Sequence, residues 1–262
     1  MARSDGGGIT SARPIDRKPV QAAAGRRLEC PDVTGLPSVA VLGLDAASAA
    51  ATIALVDGGL AVTVVTPAPT APDALAALAA YGCADRIVEV AADTLRLTPA
   101  APPFAIHGTR TTAVAASTST FPDRSDEPDE PAAGETLGSF DAVVLTDGTR
   151  GLLAGAADSP RFGGVFDLAT PWVFHVGDAP ELAGAQGRWI GEYLRGRYAP
   201  PEPAAMCAAR SAPARGLPWR GGVRAALIEL ERELRAGHAR AAAAGYPLPT
   251  PPVPPAASVP AG

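Results

Sequence analysis

The chain has 262 residues, 47% of them hydrophobic but only 5% aromatic, which allows one large or two small domains with cores of mainly Ala, Val and Leu. Its net charge of −5 excludes the strong positive charge that is typical of nucleic-acid binders. The sequence contains no apolar run of about 18 residues, so no membrane span is predicted. No signal peptide is recognisable. Three widely separated cysteines lack metal-ligand spacing. We therefore expect a cytoplasmic protein without a metal, nucleic-acid or membrane partner.

Composition divides the chain into four regions. Residues 1–37 are polar and partly basic, which predicts a flexible arm. Residues 38–138 predict a Rossmann-like domain that includes a Pro-, Ser- and Thr-rich stretch with an acidic loop. Residues 139–200 form a second α/β segment, and residues 201–262 hold a Pro-rich linker, an amphipathic helix and a Pro-rich tail.

The second region predicts alternating strands and helices. The apolar strand Val39–Leu42 is followed by the Ala-rich helix Ala46–Val56 and by the β-branched strand Leu60–Val65. A helix over Pro72–Tyr81 and a strand over Ile87–Val90 continue the pattern. Strand, helix and strand in this order predict parallel pairing with a right-handed crossover.

The remaining elements are more widely spaced. Edge strands are predicted within Thr109–Ser119, and buried strands over Phe140–Gly148 and Trp172–Asp178. Two helices, Ala183–Tyr198 and Val223–Ala244, follow from apolar residues at helical spacing. The predicted fold class is therefore α/β.

The turn after the first strand departs from the dinucleotide-binding fingerprint, which places three glycines there. Gly43 occupies the first position, but Asp45 and Ser48 occupy the second and third. A carboxylate at about 4 Å from a pyrophosphate charge costs about 4 kcal/mol at an effective dielectric constant near 20. After the second strand, Thr66-Pro67 replaces the acidic residue that binds ribose hydroxyls. These differences predict a degenerate turn, with Asp45 as the helix N-cap in place of a phosphate site.

Three segments in this order resemble a known arrangement. They are the βαβ unit Ser38–Pro67, the segment Phe140–Gly148, which is similar to the D-x-V-x-x-A-T-G strand of flavin disulfide reductases, and Trp172–Ala179, which is similar to their strand ending in G-D-A. The chain looks most like the C-terminal region of the trimethylamine dehydrogenase group, in which a pyridine-nucleotide-disulfide reductase region is fused to an Old Yellow Enzyme-type barrel.

The resemblance implies a vestigial NAD(P)H-like domain followed by a partial FAD-domain-like segment, with extended arms at both ends. Residues 140–198 would then be half of a domain, leaving an open sheet for a partner to cover. In the family the Gly-Asp pair lies near the flavin, so Gly177 and Asp178 are the candidate cofactor-binding residues; an alternative is that Asp178 caps the following helix. No catalytic residue is assigned, and His175 is interpreted as a core or interface histidine.

Three functions remain open. The first is a non-catalytic accessory subunit of a heteromeric flavin-dependent oxidoreductase, which binds no cofactor alone. The resemblance implies that its partner subunit would hold FMN, an iron–sulfur cluster and FAD or ADP, would oxidise an N-methylated amine or reduce an activated alkene, and would pass electrons to an electron-transfer flavoprotein. The second is a stand-alone NAD(P)H- or FAD-binding reductase with an atypical turn. The third is an ADP-binding or purely structural module.

Overall fold

The computed structural model describes residues 35–98, 102–111, 135–153, 158–209 and 222–250. The predicted N-terminal arm up to residue 34, the acidic loop and the tail beyond residue 250 lie outside these residues. Everything below concerns the described residues from Gly35 onward, which belong to one compact unit.

The first three strands of the main sheet follow the sequence pattern closely. Strands β1 (Ser38–Leu42), β2 (Ala61–Pro67) and β3 (Ile87–Val90) pair in parallel, and α1 (Ala46–Asp57) and α2 (Pro72–Ala80) connect them. Strands β1 and β2 form from short apolar runs bounded by Gly and Pro, and β1 is almost wholly buried, whereas β3 is mostly half-buried at the edge of the sheet. The predicted Rossmann-like α/β class is confirmed.

A second, antiparallel sheet follows β3. Its strands are β4 (Arg96–Thr98), β5 (Phe104–Gly108) and β6 (Glu135–Phe140), in that order. The edge strands predicted within Thr109–Ser119 are not found over residues 109–111, where Arg110 forms only an isolated bridge with Val90. Residues 112–119 lie outside the described chain.

The chain then returns to the main sheet. Strands β7 (Ala142–Leu145) and β10 (Val173–His175) add in parallel beside β1, while β8 (Arg161–Phe162) and β9 (Phe166–Asp167) form an antiparallel hairpin at the edge. The strand order is β3-β2-β1-β7-β10-β9-β8.

This order corrects the boundary predicted between residues 138 and 139. The two segments contribute strands to the same sheet, because the fully buried β7 pairs with β1 on one side and with β10 on the other. The second segment is therefore not half of a separate domain. The single strand predicted over Phe140–Gly148 is also divided, since Asp141 separates β6 from β7.

Asp141 fastens the start of β1 to the start of β7. Its Oδ2 atom accepts hydrogen bonds from the backbone N–H and the hydroxyl of Ser38, both at 2.8 Å. The backbone N–H of Asp141 in turn donates to the carbonyl oxygen of Ser38 at 3.1 Å. These bonds fix the register of two strands that lie about a hundred residues apart in sequence.

Three helices complete the described chain: α3 (Pro180–Leu194), α4 (Pro203–Ala208) and α5 (Gly222–Ala243). Helix α3 begins earlier than predicted because Pro180 occupies its first turn, a position that proline favours. It also ends earlier, shortly before Gly196, whose φ of +71° is left-handed. None of the described helices has the length and apolar character needed to cross a membrane.

Helices α1 and α3 approach each other closely through small residues. A Cβ atom at Gly187 would lie 2.7 Å from the carbonyl oxygen and 2.8 Å from the Cα atom of Ala51. Because these are backbone atoms, neither helix can relieve the clash by a change of rotamer. A Cβ atom at Gly184, one turn earlier in α3, would lie no closer than 3.7 Å to a neighbouring atom of α1.

We expect Gly187→Ala to lower Tm in thermal unfolding of the full chain by about 3–10 °C, because overpacking costs about 1–3 kcal/mol. Gly184→Ala is the matched control. Its added methyl group makes ordinary van der Waals contact, and alanine has a higher helix propensity than glycine. The Tm of this variant should therefore stay level or rise. Equal losses in both variants would contradict the close α1–α3 contact.

Candidate functional site

The candidate site is the edge of the main sheet where β1, β7 and β10 end. In open parallel sheets, ligands bind outside the carboxyl ends of the strands at the point where the strand order reverses. Here that point lies between β1 and β7. The residues Gly43, Asp45 and Ser48 follow β1, and Gly177 and Asp178 follow β10. The structure thus places both predicted groups at one edge, with the end of β7 between them.

The turn after β1 uses its own polar groups to begin α1. The Oδ1 atom of Asp45 accepts a hydrogen bond from the backbone N–H of Ser48 at 2.7 Å, and the N–H of Asp45 donates to Oγ of Ser48 at 2.8 Å. This reciprocal capping box confirms the interpretation of Asp45 as an N-cap. The N–H of Gly43 also donates to Val65 O at 2.8 Å. Three backbone donors of this turn are therefore occupied by the protein itself.

The one glycine that remains of the fingerprint is covered by a side chain. Gly43 has a left-handed φ of +85°, and a Cβ atom there would lie 2.7 Å from Cγ2 of Thr149. Thr149 belongs to a 3₁₀ helix, Asp147–Leu152, that follows β7. Its hydroxyl donates to Leu42 O at 3.0 Å, which holds the methyl group over the turn. Gly43 therefore serves backbone conformation and packing in this structure.

Carboxylates dominate the solvent side of this edge. Asp45, Asp147 and Asp178 are all exposed, and they follow or closely follow β1, β7 and β10. Arg150 is mostly buried and forms an ion pair with Asp147. Burial lowers the pKa of Arg150 to about 10; the charge of Arg161 acts in the same direction and that of Asp178 opposes it. This arrangement disfavours a pyrophosphate, since three exposed carboxylates lie at this edge and Arg150 is already paired with Asp147.

The end of β2 offers little to a ribose. Thr66 is buried, and its hydroxyl donates to Pro67 O at 3.4 Å. The carboxylate that accepts ribose hydroxyls in dinucleotide sites has no counterpart at these two positions. The end of β2 therefore differs from a dinucleotide site in its geometry as well as in its sequence.

Gly177 and Asp178 differ in what they contact. The N–H of Gly177 donates to Oε1 of Gln186 in α3 at 2.8 Å. Asp178 is exposed and does not cap α3, because Ala179 is the N-cap residue and makes no side-chain capping bond. The alternative that Asp178 caps this helix is thus wrong. Its role as a cofactor ligand stays a prediction.

A buried polar network beside the site was missed by sequence reasoning. Nε2 of His175 lies 3.0 Å from Oδ2 of Asp167, and the hydroxyl of Ser159 donates to Oδ1 of Asp167 at 2.7 Å. The serine hydroxyl binds the carboxylate and not the imidazole, so the nucleophile–base contact of a hydrolase is missing from this network. The signal that was available is the Gly163-Gly164 pair, which is typical of a hairpin turn and brings the flanking polar residues together.

Comparisons with known proteins add little. No protein-family model and no curated protein matches the chain. A solved structure, that of S-allyl-L-cysteine S-oxygenase from Allium sativum, is similar over 80% of this chain and 83% of that chain, with 10% sequence identity and a TM-score of 0.43.

The capping box makes a testable contribution to stability. Asp45→Ala should lower the free energy of unfolding by about 1 kcal/mol and Tm by about 2–4 °C, because the first turn of α1 loses its acceptor. Asp73→Ala, in the first turn of α2, removes a carboxylate of the same kind that makes no capping bond. Thermal unfolding that fails to separate the two variants would contradict the role given to Asp45.

Proposed function

We propose that this chain is a non-catalytic, structural subunit of a flavin-dependent oxidoreductase of the trimethylamine dehydrogenase type. A partner subunit would carry the FMN, the iron–sulfur cluster and FAD or ADP, and would oxidise an N-methylated amine or reduce an activated alkene. The chain would have the Rossmann-like fold of a nucleotide-binding domain but would bind no nucleotide.

The observation that carries the proposal is the occupied turn after β1. A dinucleotide site needs free backbone donors at the start of α1 and space above the first glycine. In this chain the donors of Asp45 and Ser48 bind each other's side chains, and Thr149 fills the space above Gly43. This favours a domain whose contribution is structural, and it disfavours a stand-alone NAD(P)H- or FAD-dependent reductase.

The assignment to flavin oxidoreductases rests on the three sequence segments that resemble that family, which form the βαβ unit, β7 and β10. The Gly177-Asp178 pair also lies at the carboxyl end of β10, on the edge where nucleotide-binding sheets hold their ligands. These features support the kind of assembly; the substrate belongs to the partner.

Ligand titration of the purified full chain tests the first half of the proposal. NADH, NADPH, FAD and ADP should each leave Tm unchanged, whereas a ligand present at about 100 times its Kd would raise Tm by about 5–11 °C. A yellow protein, or a clear shift with NADH, NADPH or FAD, would overturn the proposal in favour of a reductase. A shift with ADP alone would overturn it in favour of an ADP-binding module.

Two variants separate charge from geometry at the turn. Asp45→Asn keeps a capping oxygen and removes the charge, while Asp45→Gly restores the fingerprint glycine and removes the cap. Neither should gain affinity for NADH in calorimetric titration, because Thr149 still covers Gly43. Binding by Asp45→Asn would show that the carboxylate alone blocks the site.

Co-expression tests the second half. The chain should co-purify at fixed stoichiometry with a subunit whose absorption spectrum contains flavin and iron–sulfur bands. Removal of this chain should leave the cofactors in the partner but reduce its stability or assembly. If the chain elutes alone as a monomer when it is co-expressed with the products of neighbouring genes, the subunit proposal fails.

A further inference from the structure

A buried network fastens the β8–β9 hairpin to β10. His175 on β10 and Asp167 on β9 are joined at 3.0 Å, and both side chains are fully buried. Asp167 also accepts hydrogen bonds from the hydroxyl of Ser159 at 2.7 Å and from the backbone N–H of Thr170 at 2.7 Å. Apart from these bonds, few backbone contacts hold the hairpin, whose strands have two residues each; one is from the N–H of His175 to Val165 O at 2.8 Å.

The surroundings of His175 favour a neutral ring. Burial lowers the pKa of His175, and the charges of Arg161 on β8 and Arg150 after β7 lower it further, which outweighs the opposite effect of Asp167. The Nδ1 atom is buried and has no hydrogen-bond partner among the described residues. For Asp167, burial raises the pKa, but the hydrogen bonds from His175, Ser159 and Thr170 outweigh burial and keep the pKa below its usual range. Neutral His175 therefore faces a charged Asp167.

We propose that Ser159, Asp167 and His175 form an acid-sensitive latch, which holds the β8–β9 hairpin on β10 at neutral pH and releases it when His175 takes up a proton. A second proton places a buried N–H group at Nδ1, where the described chain supplies no acceptor. It also adds a positive charge near two guanidinium groups. Both costs disappear when the hairpin leaves and water reaches the ring.

Release of the hairpin has a structural consequence. Phe162 and Phe166 pack edge-on against Trp189 of α3, with ring centroids 5.9 and 5.0 Å away. The hairpin also forms one wall of a cavity of about 250 Å³ that α3 and α5 complete with both apolar and polar side chains, among them Leu182, Leu230 and Glu233. Release of the hairpin would therefore uncover the aromatic surface of α3 and the edge of β10 that β9 covers in the structure.

The direction of the pH effect follows from linkage. A histidine in the released hairpin titrates near its ordinary pKa of about 6.5, and the latched one titrates lower. The latch is therefore fully stable above about pH 6.5 and loses stability as the pH falls towards the latched value. Between about pH 8 and pH 5.5, the opening equilibrium should increase, with about tenfold as the upper limit set by a released pKa of about 6.5. Asp167 contributes only below about pH 4, so this window isolates His175.

Hydrogen exchange of the full chain measures the opening directly. After correction for intrinsic exchange rates, amides over residues 161–168 should open about three to ten times more often near pH 5.5 than near pH 8, and at both pH values with a lower opening free energy than the core amides of α1 and α3. An increase smaller than about threefold overturns the proposal. So does an opening free energy equal to that of α1 and α3, because the hairpin would then open only by global unfolding, which also frees His175.

Two variants and one spectrum assign the effect to His175. His175→Gln keeps an N–H donor towards Asp167 but does not titrate, so its hairpin opening should not depend on pH. His107→Gln is the control, because His107 binds Thr98 and Thr136 on the antiparallel sheet; it should keep the wild-type response. If His175→Gln does not fold, an NMR titration of the three wild-type histidines decides the matter. A His175 pKa at or above about 6.5 would overturn the latch.

Discussion

The fold depends on β1 having a parallel neighbour on each side. β2 pairs with it through the crossover helix α1, and β7 pairs with it after the chain has passed through the antiparallel sheet. Asp141 fixes this second pairing by binding the first residue of β1. As a result, the 3₁₀ helix that follows β7 lies beside the turn that follows β1. Together, the two segments fill the space that a nucleotide would occupy.

This packing determines which groups of the site are available to a ligand. The parts of a nucleotide-binding domain are present, but the polar groups at the end of β1 satisfy one another within the protein. Asp45 and Ser48 cap α1, and Thr149 closes over Gly43. In a domain built in this way, the polar groups of the turn do not need a ligand to satisfy their hydrogen bonds.

Local features were predictable from the sequence. Apolar runs bounded by Gly and Pro defined β1, α1 and β2 to within one or two residues, and Asp45, a residue type favoured at helix N-termini, was predicted as the N-cap of α1. The pairing of Val39 with Ala142 was not predictable, because nothing in a local pattern specifies which distant strand becomes a neighbour. Strands of two residues, as in the β8–β9 hairpin, are too short to show periodicity. The contact of Asp167 with His175 depends on that hairpin and was missed with it.

Gly43 has a wider meaning for how such turns are interpreted. A glycine at the first fingerprint position is usually taken as a trace of nucleotide binding, yet here its missing side chain makes room for a neighbouring threonine. Restoring the missing glycines would therefore not restore a binding site, since the space above Gly43 is filled by the segment that follows β7 and the glycine is necessary for that packing. In such a domain, a glycine at this position reports how the neighbouring segment packs and is not by itself evidence of a nucleotide.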